Sequence, residues 1–252
     1  SGSTSSYSEY FRETLQPSPR PSSVTTMRID DPTYATQQSV VCRVRSAEAI
    51  WLAGGDQWEY LGRWPDVIQA AISTLVLRDG PVGGTSAGAM SLGEFAFDAR
   101  LGSVTSSEVL ANPLRPEVSV SESRFPSPEL YSVIVDTHFS ERDREGRLLG
   151  FLARAMHDTG IERLRGLGLD ERVAITLRDG DYEVFAIGDA AAWYYQVDGV
   201  PTLLPDEPLT MTGIRRYRLP HGSRGSWPPV PDSVGAEVLE VEGGVLRVVE
   251  GG

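Results

Sequence analysis

Lysine is absent from this chain: all 23 basic residues are arginine, set against 35 acidic ones. Chemistry that depends on a lysine, whether a phosphate-binding loop or a Schiff base, is thereby excluded. Cysteine occurs once, at Cys42, so no internal disulfide can form; in VVCRVRSA it sits in an apolar-leaning segment that suits a small buried side chain. The three histidines, His138, His157 and His221, lie far apart without the spacing of a metal-ligand motif, and neither a metal nor a cofactor is expected. No apolar run approaches the eighteen or so residues of a membrane helix. No basic-then-apolar start marks an intact signal peptide. These absences predict a soluble, cytoplasmic protein, and a secreted chain already relieved of its signal would read the same way. The acidic excess, a net charge of −12, repels a phosphate backbone and argues against nucleic-acid binding. A cationic or zwitterionic substrate suits that field better.

What is present fits one domain over 1–252, with no internal repeat. Residues 1–40, rich in Ser, Thr and Pro, are expected to form a weakly structured start whose only helix-like piece is SSYSEYFRETL. A short buried strand is expected at 49–53, ended by two glycines, then a helix over 58–78 with Pro65 near its start. The stretch 98–128 reads as an excursion over one face of the sheet, and YSVIVD at 131–136 as a buried strand. Residues 141–160 give the clearest helix, with Leu148, Leu149, Leu152 and Met156 on one face and a stop at Gly160. From 164 onward short strands dominate, and VLEVEGGVLRVV is a hairpin turning at Gly243-Gly244. The fold class is therefore α/β: a central, largely parallel sheet flanked by helices, a serine on a nucleophile elbow, and an antiparallel C-terminal extension over 200–252.

The elbow is GGTSAGAM at 83–90, where Ser86 stands between Gly84 and Gly88 at a strand-to-helix junction. A serine hydroxyl needs a base to take its proton and donors for the oxyanion it creates. The glycines let backbone pass closely, and the Ala87 amide at the new helix's start points toward the developing charge. Among the possible bases, His138 directly follows the strand YSVIVD, at the kind of strand end where sites gather. His157 lies late in a helix and His221 in a late loop. Asp136, Asp170 and Glu171 are candidates for the carboxylate that orients the imidazole; of the adjacent pair, only one should reach the site.

GGDQ at 54–57, GGTSAGA at 83–89, DTHFSERDREGRL at 136–148 and GLGLDERVAI at 166–175, in that order, resemble cyanophycinase, with dipeptidase E as a more distant relative. The resemblance spans about residues 35–200. It implies a serine peptidase with a Ser-His-Glu triad that maps onto Ser86, His138 and Glu171, and an oxyanion hole from the amides of Gly55 and Ala87. It also implies that Asp56, Gln57, Asp136, Thr137, Arg142, Arg144 and Arg147 line the substrate pocket. For the arginines the alternative is salt bridging to acids at the helix start; for Asp56 and Gln57 it is a turn-stabilising role. The implied substrate is cyanophycin or another peptide of aspartate and arginine, cut to β-aspartyl-arginine, and the implied assembly a homodimer. Two departures stand out. Thr137 occupies a position where the family commonly has Gln, and the family's first apolar strand has no counterpart before SGSTSSYSEYF. Three other readings remain: an aspartyl dipeptidase, an esterase using His221, and a binding module without turnover.

Overall fold

The computed structural model describes residues 4–15, 21–229 and 235–250. Helix α1 (Thr4–Glu9) runs on into a π-turn at Tyr10–Thr14, and α2 (Pro32–Ala35) and α3 (Gln38–Ser46) follow. The start of the chain thus carries more helix than expected. On α3, Val40, Val41 and Val44 turn inward, which leaves Cys42 on the outer side and exposed. The expectation of a buried cysteine is corrected by this helical register; an apolar-leaning segment alone does not say which side faces in.

Strand β1 (Ile50–Leu52) is followed by a π-turn at Glu59–Arg63, and α4 (Asp66–Leu77) begins directly after Pro65. A single helix over 58–78 does not form. A residue before proline is pushed to extended backbone, and Trp64 adopts ψ 132°, which ends the turn. Then come β2 (Val82–Gly84), α5 (Ala87–Met90), β3 (Phe95–Phe97), α6 (Ser106–Ala111), β4 (Val120–Glu122), β5 (Val133–Thr137) and α7 (Glu145–Thr159). The remainder is strand: β6 (Leu164–Leu169), β7 (Val173–Arg178), β8 (Asp181–Ala186), β9 (Ala192–Val197), β10 (Met211–Leu219), β11 (Arg224–Ser226), β12 (Glu237–Glu242) and β13 (Val245–Glu250).

Eight strands pair in the order β13-β12-β10-β9-β6-β5-β3-β4; β1 and β2 form a parallel pair, and β11-β8-β7 a small third sheet. The fold is mixed α/β, a large sheet with helices on both faces. The sheet is not largely parallel, however: within its eight strands only β3–β5 and β5–β6 run parallel. Parallel neighbours need a crossover, usually a helix. Among the described residues α7 is the last helix, so every later strand returns antiparallel. The closing hairpin turns at Gly243-Gly244, both left-handed, as the sequence led us to expect.

Strand β5 is buried throughout and sorts its side chains by alternation. Ile134 joins the core under α7 with Leu148, Leu149, Phe151 and Leu152, all fully buried. Val133 and Val135 join the opposite core with Ile68 and Ile72 of α4 and Val40 of α3. Each such aliphatic side chain contributes roughly 1.5–3 kcal/mol when removed from water. Helix α7 ends as expected at Gly160, left-handed at φ 74°, whose N–H closes on the Met156 carbonyl at 2.9 Å. The 98–128 stretch packs α6 through Val109 against the α7 core and adds β4 to the sheet edge. Two layers of core thus clamp β5, and the residues at its C-terminal end are held firmly.

Candidate active site

The site forms where three chain segments emerge from the sheet. Ser86 follows β2 and precedes α5, with φ 51° and ψ −123°, a left-handed backbone that L-residues seldom adopt. Close packing enforces it. A Cβ on Gly88 would strike the Leu52 carbonyl, and one on Gly84 would strike the Gly88 backbone, so only glycine fits on either side. Gly54 approaches from β1, where a Cβ would stand 3.3 Å from the Ser86 Cβ.

His138 directly follows β5, also left-handed at φ 52°. Its Nε2 lies 2.9 Å from Ser86 Oγ, and its Nδ1 lies 2.8 Å from Glu171 Oε1. Glu171 follows β6 and keeps half its side chain exposed. The hydrogen bond from His138 holds the Glu171 carboxyl below its ordinary range, and the nearby Arg142 and Arg172 add to the effect. Asp170 and Asp136, the other carboxylates considered from sequence, make no contact with the imidazole: Asp170 bonds Ser140, and Asp136 bonds arginines. Ala87 follows Ser86 directly and Gly55 follows Gly54, and no turn or loop hydrogen bond to a described residue is made by either N–H.

The remaining candidates divide sharply. Asp136 is fully buried, and Arg147, 3% exposed, grips it twice, Nε to Oδ2 at 2.7 Å and Nη2 to Oδ1 at 2.6 Å. Arg147 also donates to the Val104 carbonyl at 3.2 Å, and its guanidinium lies 5.6 Å from each of the stacked Phe97 and Phe151 rings. Arg144 donates to the Thr137 carbonyl at 2.6 Å and to Asp136 at 3.3 Å. Burial pulls the Arg144 guanidinium down to about 10, although Asp136 opposes the shift. Asp136, Arg144 and Arg147 therefore bond one another, largely out of solvent. Alternation along β5 aims Asp136 at α7, and positions 144 and 147, three apart, share that helix face.

Asp56 caps a turn, accepting the Trp58 N–H at 2.9 Å, and Gln57 donates to the Phe97 carbonyl at 3.2 Å, so both serve the local backbone. Arg142 is exposed and has no acid within ion-pair distance among the described residues, with its N–H on the His138 carbonyl at 3.2 Å. Thr137 is 6% exposed, and its hydroxyl bonds no described residue. His157 pairs with Asp158, and His221 Nδ1 accepts the Ala186 N–H at 3.2 Å, so neither touches Ser86. Sequence reasoning missed Glu141, whose carboxylate accepts the Glu171 N–H at 2.9 Å, and the whole set of groups around Asp170. A doubled acid, Asp170-Glu171, was the only visible signal. Among the described residues no group of three His, Cys, Asp or Glu is arranged to hold a metal ion, and no helix is long and apolar enough to cross a membrane.

No family model matches the chain. It is 32% identical to a cyanophycinase of Geminocystis herdmanii over 72% of its own length and 63% of the relative's. It is 31% identical to a cyanophycinase of a Nostoc species over 73% and 59% of the two lengths. Among solved structures, a peptidase from an acI-B1 Actinobacterium superposes with a TM-score of 0.49 at 19% identity, over 78% of this chain and 66% of that one. By sequence the chain resembles the cyanophycinases. It spans about three fifths of the length of the curated relatives it matches.

Proposed function

We propose that Ser86, His138 and Glu171 form a catalytic triad on a nucleophile elbow, and that the chain hydrolyses the aspartyl backbone of cyanophycin to β-aspartyl-arginine. The observation that carries this reading is the continuous hydrogen-bonded line from Ser86 Oγ through His138 to Glu171, at 2.9 and 2.8 Å. In the acylation step Ser86 Oγ attacks the scissile carbonyl carbon while His138 Nε2 takes the hydroxyl proton. The oxyanion lies against the N–H groups of Gly55 and Ala87. Glu171 accepts from Nδ1, keeps the ring turned toward Ser86 and stabilises the imidazolium. That imidazolium protonates the departing amide nitrogen as the C–N bond breaks; water then attacks the acyl-enzyme, its proton going to His138, and Ser86 is released with its hydroxyl restored.

The substrate follows from the family likeness and from charge. Arg142 is the exposed member of the motif arginines, free to receive a substrate carboxylate. The acidic balance of the chain, −12, favours a substrate that also bears guanidinium groups. The test is incubation with purified insoluble cyanophycin and mass analysis of the products, with Asp-Xaa dipeptides in parallel. Release of β-aspartyl-arginine by the parent protein and not by Ser86→Ala is the expected result. Cleavage of the dipeptides alone would transfer the assignment to an aspartyl dipeptidase, and polymer cleavage surviving in Ser86→Ala would end the triad reading.

A further inference from the structure

We infer that Asp170 is a positioning residue: its buried carboxylate ties the turn carrying His138 to the turn carrying Glu171 and so sets the contact between them. The inference rests on the reading of those residues given above. Asp170 is 8% exposed and gathers donors from three residues on two separate segments. Its Oδ1 accepts both the N–H and the hydroxyl of Ser140, at 3.0 and 2.6 Å, two residues after His138. Its Oδ2 accepts the Ala191 N–H at 3.0 Å, just before β9. The Trp193 indole N–H reaches both oxygens at 3.2 Å, and the Trp193 ring is itself flanked by Arg216 and Arg218, 5.4 and 5.8 Å away.

The position of this cluster relative to the triad gives it its effect. Asp170 and Glu171 are adjacent where β6 gives way to a turn, and one carboxylate enters the cluster while the other meets His138. His138 holds a left-handed backbone that a non-glycine residue does not choose unaided, and such a conformation persists only where its surroundings impose it. Here those surroundings are the Phe139 N–H on the Leu169 carbonyl at 3.1 Å and the two Ser140 donors on Asp170. Glu141 closes the circuit from the other side through the Glu171 N–H. With Asp170 in place, His138 and Glu171 have little freedom to separate. The other cationic side chains near the pair, Arg142 and Arg172, act on Glu171 through space.

Asp170→Asn tests this while keeping size. Whichever way the amide turns, its NH2 group faces either the Ser140 donors or the Ala191 N–H, and a donor cannot accept. Two readouts follow the site without a peptide substrate: the rate at which a fluorophosphonate labels Ser86, and the downfield resonance of the His138 Nδ1 proton bonded to Glu171. The expected result is labelling slowed on the order of ten- to a hundredfold in Asp170→Asn and about fivefold in Ser140→Ala, with the Nδ1 resonance broadened or lost in both. Should Asp170→Asn fail to fold, Ser140→Ala carries the test. Parental labelling rates together with an unchanged resonance would overturn the inference. A parent protein that is not labelled at all would instead sink the nucleophile assignment, and the resonance would then decide the positioning role alone.

Discussion

Two acid–base pairs meet at the end of β5, through Asp136 and His138 two residues apart, and they differ in burial, bonding and surroundings. The Asp136–Arg147 pair is sealed: side-chain exposures of 0% and 3%, a doubled hydrogen bond, and aromatic rings against the guanidinium. The Glu171–His138 pair is open: exposures of 51% and 24%, one hydrogen bond between the two, and a serine hydroxyl at the ring's far side. A buried charge pair bonded twice and sealed from solvent can hold structure but cannot exchange protons with a substrate. A half-exposed imidazole between a hydroxyl and a carboxylate can. Residue type alone does not make this distinction, since Asp136, His138 and Arg147 stand in one sequence motif.

The sharpest way to test the contrast is to remove one group from each side. Ser86→Ala should lower turnover on the order of 10⁴-fold or more, with the thermal midpoint within a degree or two of the parent by calorimetry. Asp136→Asn should do the reverse in kind, leaving Arg147 buried without its anion and costing about 3–5 kcal/mol of stability, read from denaturant unfolding. If Asp136→Asn unfolds like the parent yet loses its affinity for substrate, Asp136 belongs to the binding pocket and the contrast is wrong.

A smaller effect is expected at Glu171, which is half in solvent. Glu171→Gln should lower kcat on the order of a hundredfold, because the amide still fills the place but no longer stabilises the imidazolium. Its pH dependence carries a sign. The carboxyl is held below its ordinary range by the His138 hydrogen bond first, then by Arg142 and Arg172. A depressed value means that the contribution to stability is present above the ordinary carboxylate range and is lost only as pH falls through the lower, folded-state value. The difference in thermal midpoint between parent and Glu171→Gln should therefore persist down to about pH 4, near the free Glu value, and close below it. A difference that vanishes at pH 5 or above would show that the His138 contact does not hold in solution.

Much of this was legible in the sequence, and the reason is local. The hairpin at Gly243-Gly244, the stop at Gly160 and the inward face of α7 each depend on a few neighbouring residues. The tight turn at Ser86 could be recognised because glycine at 84 and 88 leaves room that a side chain would fill with backbone clashes. The strand directions could not be read, since whether β9 runs with or against β6 depends on what connects them far along the chain. What Arg144 and Arg147 meet could not be read for the same reason. Their three-residue spacing says that they share a face, and only packing says that the face looks at Asp136 and not at solvent. Asp170 was visible as half of a doubled acid, but its partners Ser140, Ala191 and Trp193 come from segments that composition does not join.

The smallest expected effect lies farthest from β5. His221 stands between β10 and β11 with Nδ1 accepting the Ala186 N–H at 3.2 Å, so that ring nitrogen is already occupied by backbone and the residue serves the edge of the small third sheet. An esterase built on Ser86 and His221 would need this imidazole at the Ser86 hydroxyl, a place that His138 Nε2 already fills at 2.9 Å. His221→Ala should consequently leave kcat/KM within about twofold, while losing one exposed hydrogen bond of about 1 kcal/mol or less. Because His138→Ala should abolish turnover under the same assay, the two substitutions read against each other. A large loss at His221 with activity surviving at His138 would shift the general base to the far edge of the molecule and reverse the contrast drawn along β5.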